Sequence, residues 1–300
     1  GMKRHRMIRH RPALYVEKMN SRQTRRSGSR AVHIQHAPGG VSRRTDFDDA
    51  VQRIDSADAA LADLARRLLA EGVPAVILDR QRPAALPGVE IELGDFADPT
   101  ALGRVLRPGR VVVHLAWSTL PATSNEDPAA DLRENVSGSL TLLNACCRAG
   151  VGRLLFFSSG GTVYGNARRV PLQEDHPTDP ICAHGVSKLA VEKYLALFRR
   201  LSGLDFIILR PSTAYGPDQD YRRGQGAVTA FTDLAARGEP IPIWGDGNVV
   251  RDFLHVGDLV DATVRLMGHD PGPAGPRVFN VGTGQGTSLR ELVTIIGRAL

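Results

Sequence analysis

Leu61-Ala-Asp-Leu-Ala-Arg-Arg-Leu-Leu-Ala-Glu-Gly-Val-Pro-Ala-Val-Ile-Leu-Asp79 holds the two periods that decide the fold. Leu61, Leu64, Leu68 and Leu69 recur at helical spacing, and Gly72 closes that stripe. Val73 to Leu78 is then an apolar run of strand length that ends at Asp79, the pattern of a strand covered on both faces. The alternation continues outward. Val89–Leu93 predicts a short strand before Gly94-Asp95, Val111–Ala116 a third strand and Arg153–Phe157 a fourth. Leu132 to Ala149 predicts a helix stopped by Gly150, and Val186 to Leu201 a long helix before the strand Asp205–Leu209. Buried strands alternating with helices mean an α/β fold with a doubly wound parallel sheet. After Pro217 the segments are shorter and richer in Gly and Pro, which predicts a smaller α/β region mounted on the sheet.

The 300 residues are 42% hydrophobic and 23% charged, ample for a core and unlike a collagenous, disulfide-scaffold or wholly disordered chain. No run of 18 apolar residues occurs, so no membrane partner is expected. Cys146, Cys147 and Cys182 lack CxxC or zinc spacing; they read as reduced thiols of a cytoplasmic protein with no metal site. Residues 1–45 carry twelve of the 38 Lys and Arg against the single acid Glu17, a net of +11. The other 255 residues carry 26 basic and 31 acidic side chains, a net of −5. The basic balance therefore belongs to an arm, 1–57, with no sustained apolar period, which reads as a disordered or non-native segment; Gly1 before Met2 reads as a cloning remnant. This distribution does not describe a folded nucleic-acid-binding surface.

Asp79 stands where a Rossmann-type sheet holds the ribose hydroxyls of an adenosine and repels a 2′-phosphate. Taken alone, an Asp at a strand end is a loop cap. Gly94-Asp95-Phe96 and His114-Leu115-Ala116-Trp117 fall at the ends of the next two strands, where ligands bind in doubly wound sheets.

With further pieces in order, the chain resembles the extended short-chain dehydrogenase/reductases of the NAD-dependent epimerase/dehydratase family. These pieces are Asn135-Val-Ser-Gly138, Ser158-Ser-Gly-Gly-Thr-Val-Tyr-Gly165, Leu209-Arg-Pro-Ser-Thr-Ala-Tyr-Gly-Pro217, Trp244-Gly-Asp-Gly247, Arg251-Asp-Phe253 and Phe279-Asn-Val-Gly-Thr-Gly284. The resemblance runs from about residue 59 to the end. It implies an NAD-binding Rossmann-like domain over 58–215 and a substrate region over 216–300, shortened relative to the family. It implies NAD held by Asp79, Arg80, Asp95, Phe96, Leu115, Ala116, Trp117, Asn135, Lys188 and Pro211. A nucleoside-diphosphate sugar would be contacted by Thr213 and Arg251, and a homodimer would form through helices 132–149 and 186–201. It also implies a tyrosine base with a lysine four residues later on the same helix face, and a Ser or Thr hydroxyl, four residues before Tyr164, orienting the same sugar oxygen. The cofactor carries the redox chemistry.

The departures matter as much. Glycines for the phosphate turn are due near 55, 58 and 61, where Asp55, Asp58 and Leu61 stand, and Asp49–Ile54 is not an apolar run, so no first strand is expected. His184 stands at the tyrosine position, with Lys188 retained. It is a candidate base of reduced efficiency, or else a histidine filling a helix position. Gly160 stands at the hydroxyl position, leaving Thr162 and then Ser159 as substitutes, or as groups that merely bond the backbone. Gly161-Thr162 replaces the Asp-Glu pair that the resemblance associates with 4,6-dehydratases, which favours an epimerase. Thr213 stands at an asparagine position, and Arg251 reads either as a diphosphate ligand or as a surface partner of Asp252. Two other readings stay open: a non-catalytic relative that binds a sugar nucleotide, and a sugar-nucleotide dehydratase or reductase.

Overall fold

The structure is a computed structural model that describes residues 51–54, 59–81, 86–217, 219, 226–243 and 245–300. The arm up to residue 50, and Asp55 and Asp58, lie outside the described residues. In chain order the first elements are β1 (Val51–Ile54), α1 (Ala59–Ala70), β2 (Ala75–Asp79), β3 (Glu90–Leu93), α2 (Pro99–Val105), β4 (Val111–His114) and α3 (Pro128–Asp131). A π-helical turn, Leu132–Ser137, leads into α4 (Gly138–Ala149), β5 (Arg153–Phe157), α5 (Ala183–Ser202), β6 (Phe206–Pro211) and β7 (Thr213–Tyr215). The rest is α6 (Ala227–Ala236), β8 (Val250–His255), α7 (Val256–Met267), β9 (Val278–Val281), β10 (Gly286–Ser288) and α8 (Leu289–Ala299).

Seven parallel strands form the main sheet in the order β3-β2-β1-β4-β5-β6-β9. The strands expected from the apolar runs are all present. The expected absence of the first strand is corrected: β1 lies between β2 and β4, with Val51 opposite both Ala75 and Val111. The reason is backbone chemistry. Ladder hydrogen bonds need no apolar side chain, and without β1 the facing edges of β2 and β4 would be unpaired inside the fold.

Each face of the sheet has its own core. Leu142, Leu143, Val191 and Leu195 of α4 and α5 pack on Leu154 and Phe156, while Leu64 and Leu68 of α1 and Leu259 of α7 pack on Leu155 and Ile207. Leu61, at the third glycine position, packs with Ile77 and Leu86. A three-stranded sheet, β10-β8-β7, stands beside the main one, and α6 and α8 bury Phe231, Leu292 and Ile296 there. Residues 216–300 divide between the two sheets, since β9 returns to the edge of the main sheet and α7 covers its face.

Gly150 and Gly203 end α4 and α5 in the left-handed region, φ 69° and 74°. The start of α5 differs from expectation: it begins at Ala183, three residues before Val186. Its caps come from a distant loop, where Asn125 Oδ1 accepts from Ala183 N at 2.8 Å and Ser124 Oγ from His184 N at 3.0 Å. A local pattern cannot show such caps.

Leu154→Ala or Leu155→Ala should each cost about 2–5 kcal/mol in urea unfolding, whereas Leu201→Ala, 74% exposed at the end of α5, should stay within about 0.5 kcal/mol.

Candidate active site

The carboxyl ends of β4, β5 and β6 meet the first turns of α5. Lys188 is 4% exposed. Its Nζ donates to Phe157 O at 2.7 Å and lies 3.7 Å from the centre of the Trp117 ring and 5.0 Å from that of Phe156. An ammonium between two aromatic faces is held by cation–π attraction as well as by the hydrogen bond. One turn earlier, His184 is 8% exposed and meets the same indole edge-on, with ring centres 5.8 Å apart.

His184 Nδ1 lies 3.1 Å from Thr119 O. A carbonyl oxygen can only accept, so Nδ1 carries the proton of the neutral imidazole and Nε2 keeps its lone pair. Burial, followed by the Lys188 charge, lowers the His184 pKa to about 4, against smaller upward effects of the Thr119 carbonyl and Asp131. The sequence shows the Lys188 effect; burial is the larger cause and needed the fold.

Beneath His184 is the fully buried Asp131. Its carboxylate accepts from the hydroxyls of Thr119 and Ser187 and from Asn135 Nδ2. Asn135 lies in the π-helical turn, and its Oδ1 accepts from Ser118 N at 2.9 Å. Asn135, predicted as a cofactor residue, thus anchors the loop after β4. A π-turn is frequent at functional sites because it re-aims side chains.

Gly160 cannot be the hydroxyl position in this backbone. Its N donates to Pro211 O at 2.9 Å, and a Cβ there would meet Arg210 O and Pro211 O at 2.9 Å. Thr162 is better placed. Its Oγ1 is buried with no hydrogen-bond partner among the described residues, and Gly185 lets the first turn of α5 come against its carbonyl, where a Cβ would sit 2.7 Å from Thr162 O. Ser159 is half-buried, and its carbonyl accepts from Val163 N at 3.2 Å.

A buried network that sequence reasoning missed lies behind this cluster. Arg210 donates to Glu192 from Nε (2.9 Å) and Nη2 (2.5 Å), and from Nη1 to Tyr164 OH (2.8 Å). Ser158 Oγ donates to Glu192 at 2.5 Å, and Tyr164 OH to Asn280 Oδ1 at 2.6 Å. Burial alone would lower the Arg210 pKa, but its bonds to Glu192 outweigh it and hold the guanidinium charged. Glu192, four residues after Lys188, was the available signal.

The other predicted residues lie in several different places. Asp79 is buried at the end of β2 and accepts from Gln81 N at 2.9 Å, with Arg80 exposed beside it. Asp95 caps its own turn through Ala97 N at 2.7 Å. Phe96, Leu115 and Ala116 are buried in the core, with Phe96 5.1 Å from the His114 ring. Pro211 serves through its carbonyl. Thr213 and Arg251 are not brought to His184: they share one face of the second sheet, where Thr213 pairs with Phe253 two residues from Arg251. Asp252 is not the acceptor for Arg251 that the surface reading supposed. Its carboxylate accepts from Thr283 N, Thr283 Oγ1 and Gly284 N at 2.6–3.0 Å.

Whether this edge suits a dinucleotide can be judged from its polar atoms. Trp117 Nε1, Thr162 Oγ1 and Ser212 Oγ, after the ends of β4, β5 and β6, are buried with no partner among the described residues. A core tolerates such atoms only where something else satisfies them. The acid at Asp79 and the strand order, which reverses at β1, complete the fit on the ribose side. Among the described residues no cluster of three or more His, Cys, Asp or Glu could hold a metal ion, and no helix is long and apolar enough to cross a membrane.

The strand order and the His184–Lys188 pair at the carboxyl edge define a doubly wound, dinucleotide-binding protein of the short-chain dehydrogenase/reductase type. Residues 62–282 match the family described as NAD dependent epimerase/dehydratase family. The chain is 41% identical over 204 residues, 68% of this chain, to a UDP-glucose 4-epimerase of Mycolicibacterium smegmatis, and spans 64% of that protein. It is 38% identical over 244 residues, 74% of this chain and 69% of the relative, to a UDP-glucose 4-epimerase of Azospirillum brasilense. The crystal structure of a UDP-glucose 4-epimerase from Thermotoga maritima with UDP-glucose superposes with a TM-score of 0.77 at 31% identity, covering 83% of this chain and 82% of that one. A Thermus thermophilus UDP-glucose 4-epimerase complex with NAD gives 0.75 at 30% identity, covering 83% of each. The chain belongs to the NAD-dependent epimerase/dehydratase family.

The depressed His184 pKa makes stability fall with acid. Between the ordinary imidazole value and about 4 the unfolded chain takes up a proton that the folded chain refuses. The loss should begin as pH drops through about 6.5, level off below about 4 and reach about 3 kcal/mol. Urea midpoints of the native protein and His184→Gln across this range check it: the variant should lack this component.

Proposed function

We propose that this chain is an NAD-dependent nucleotide-sugar epimerase of the UDP-hexose 4-epimerase type. The observation that carries the reading is that His184 and Lys188 pack on the same Trp117 ring at the sheet's carboxyl edge, with the Thr162 carbonyl against Gly185 between them. The named function of the 41%- and 38%-identical relatives supports the substrate class. Gly161-Thr162 in place of an acid pair favours epimerisation over dehydration, which needs a further acid and base.

In this reading His184 Nε2 accepts the proton of a sugar hydroxyl: the O–H bond breaks, an N–H bond forms, and the electron pair stays on the oxygen. Thr162, with Ser159 beside it, orients that oxygen. Lys188 keeps the imidazole neutral before transfer and stabilises charge developing on the oxygen. NAD, when bound, supplies hydride acceptance and return at the sugar carbon. Asp79 would hold its adenosine ribose and favour NAD over NADP, with Trp117, Asn135, Lys188 and the 94–96 and 115–117 backbones at its flank. Arg251 and Thr213 would take the sugar-nucleotide diphosphate, the guanidinium bidentately. Asp55 and Asp58, at the sequence positions where the resemblance expects glycines and outside the described residues, would weaken binding of the cofactor diphosphate. A homodimer through α4 and α5 is supported by Val186, Tyr194, Leu197 and Leu201, which expose apolar surface along α5. Three free cysteines suit a reducing, cytoplasmic setting.

Interconversion of UDP-glucose and UDP-galactose, with calorimetry of NAD, tests the reading. Slow turnover is expected, falling by about 10²- to 10⁴-fold in His184→Ala, and rising in His184→Tyr, whose phenol oxygen reaches further. A folded sample that neither binds NAD nor turns over either sugar nucleotide would instead be a non-catalytic relative.

A further inference from the structure

Thr119, Ser187 and Asn135 all donate to one carboxylate that has no solvent exposure. All three donors are neutral, so the buried Asp131 carboxyl group is held by hydrogen bonds from uncharged groups. Such an arrangement is costly unless every bond is kept. What the three bonds have in common is His184. Thr119 supplies the carbonyl that faces Nδ1, and Ser187 is one turn beyond His184 on α5. Asn135 fixes Ser118, the residue before Thr119. Ser124, in the same loop, takes the backbone N–H of His184.

We infer that Asp131 is a positioning residue for His184: by tying the Thr119 loop and the Ser187 turn to one carboxylate, it holds the Thr119 carbonyl on Nδ1 and so fixes the tautomer whose Nε2 faces outward as proton acceptor. Three features support this. Nε2 has no hydrogen-bond partner among the described residues, whereas Nδ1 has one. The Trp117 edge restricts the ring on one side, and the Lys188 ammonium disfavours a second ring proton. A histidine that only filled a helix position would need none of this machinery. The inference rests on the proposed role of His184 for its consequence, but the tautomer can be read without catalysis.

The experiment is a long-range ¹H–¹⁵N correlation spectrum of the full-length, ¹⁵N-labelled chain at neutral pH, which reports the tautomer of each of the nine histidines. His184→Gln identifies the His184 signals. The expected result is His184 protonated at Nδ1 by about tenfold over Nε2, the preference one intramolecular hydrogen bond gives. Asp131→Asn keeps the volume and one acceptor, and should reduce that preference by about three- to tenfold. Thr119→Val leaves the backbone carbonyl, removes only the hydroxyl tether, and should do the same; it also carries the test if Asp131→Asn unfolds. His184 protonated at Nε2 in the native chain overturns the inference, as does an unchanged tautomer ratio in folded variants. A native chain with the expected tautomer but no turnover would leave this inference standing and remove the epimerase reading.

Discussion

The ion pair between Glu192 and Arg210 ties α5 to β6, and α5 presents Lys188 and His184 at the carboxyl edge of the sheet. Both members of the ion pair are buried, and their charges are compensated by two mutual hydrogen bonds plus Ser158 and Tyr164. A buried pair of this kind contributes little net stability against an apolar alternative, but it tolerates only one geometry. Because Glu192 is one turn after Lys188, that geometry brings the ammonium to Phe157 O. Lys188 in turn sets the charge around His184, and Asn280 links the network to the edge strand β9.

Around this anchor two residues of the site, Gly160 and Trp117, have surroundings that the resemblance did not suggest. Gly160 lies so close to β6 that an added Cβ would meet Arg210 O and Pro211 O, while Thr162, two residues on, sets its carbonyl against Gly185 of α5 and buries a hydroxyl that has no partner among the described residues. Trp117 covers Lys188 and bounds His184, a role for a residue that resemblance alone placed with the cofactor. Such local differences are possible because ligands of a doubly wound sheet meet strand ends and loops, while the strands beneath are fixed by core packing.

Much of the fold was legible as period. The runs at 73–78, 111–116, 153–157 and 205–209 appear as strands because parallel strands buried on both faces must be apolar throughout. β1 was not legible, since Val51-Gln-Arg-Ile54 is not an apolar run and its pairing with β2 and β4 exists only in the folded sheet. The first turn of α5 was missed for the same kind of reason: its caps, Ser124 and Asn125, are some sixty residues away in sequence. At the site, motif order brought out His184, Lys188, Thr162 and Asp79, because catalytic spacing on a helix or strand end is local. Asp131, Glu192 and Arg210 were passed over, because a charged residue looks exposed until its partners are seen.

The sequence by itself determined the α/β class, the alternation of the main sheet, the family, and the spacing that sets His184 and Lys188 one helical turn apart. These follow from short-range periodicity and fixed helical geometry. Only the tertiary structure decided that the imidazole is buried and neutral, which nitrogen carries its proton, which hydroxyl has no partner, and which carboxylates are interior. Each of those depends on desolvation and on hydrogen bonds between residues far apart in the chain, and such contacts exist only once the sheet and its helices have packed.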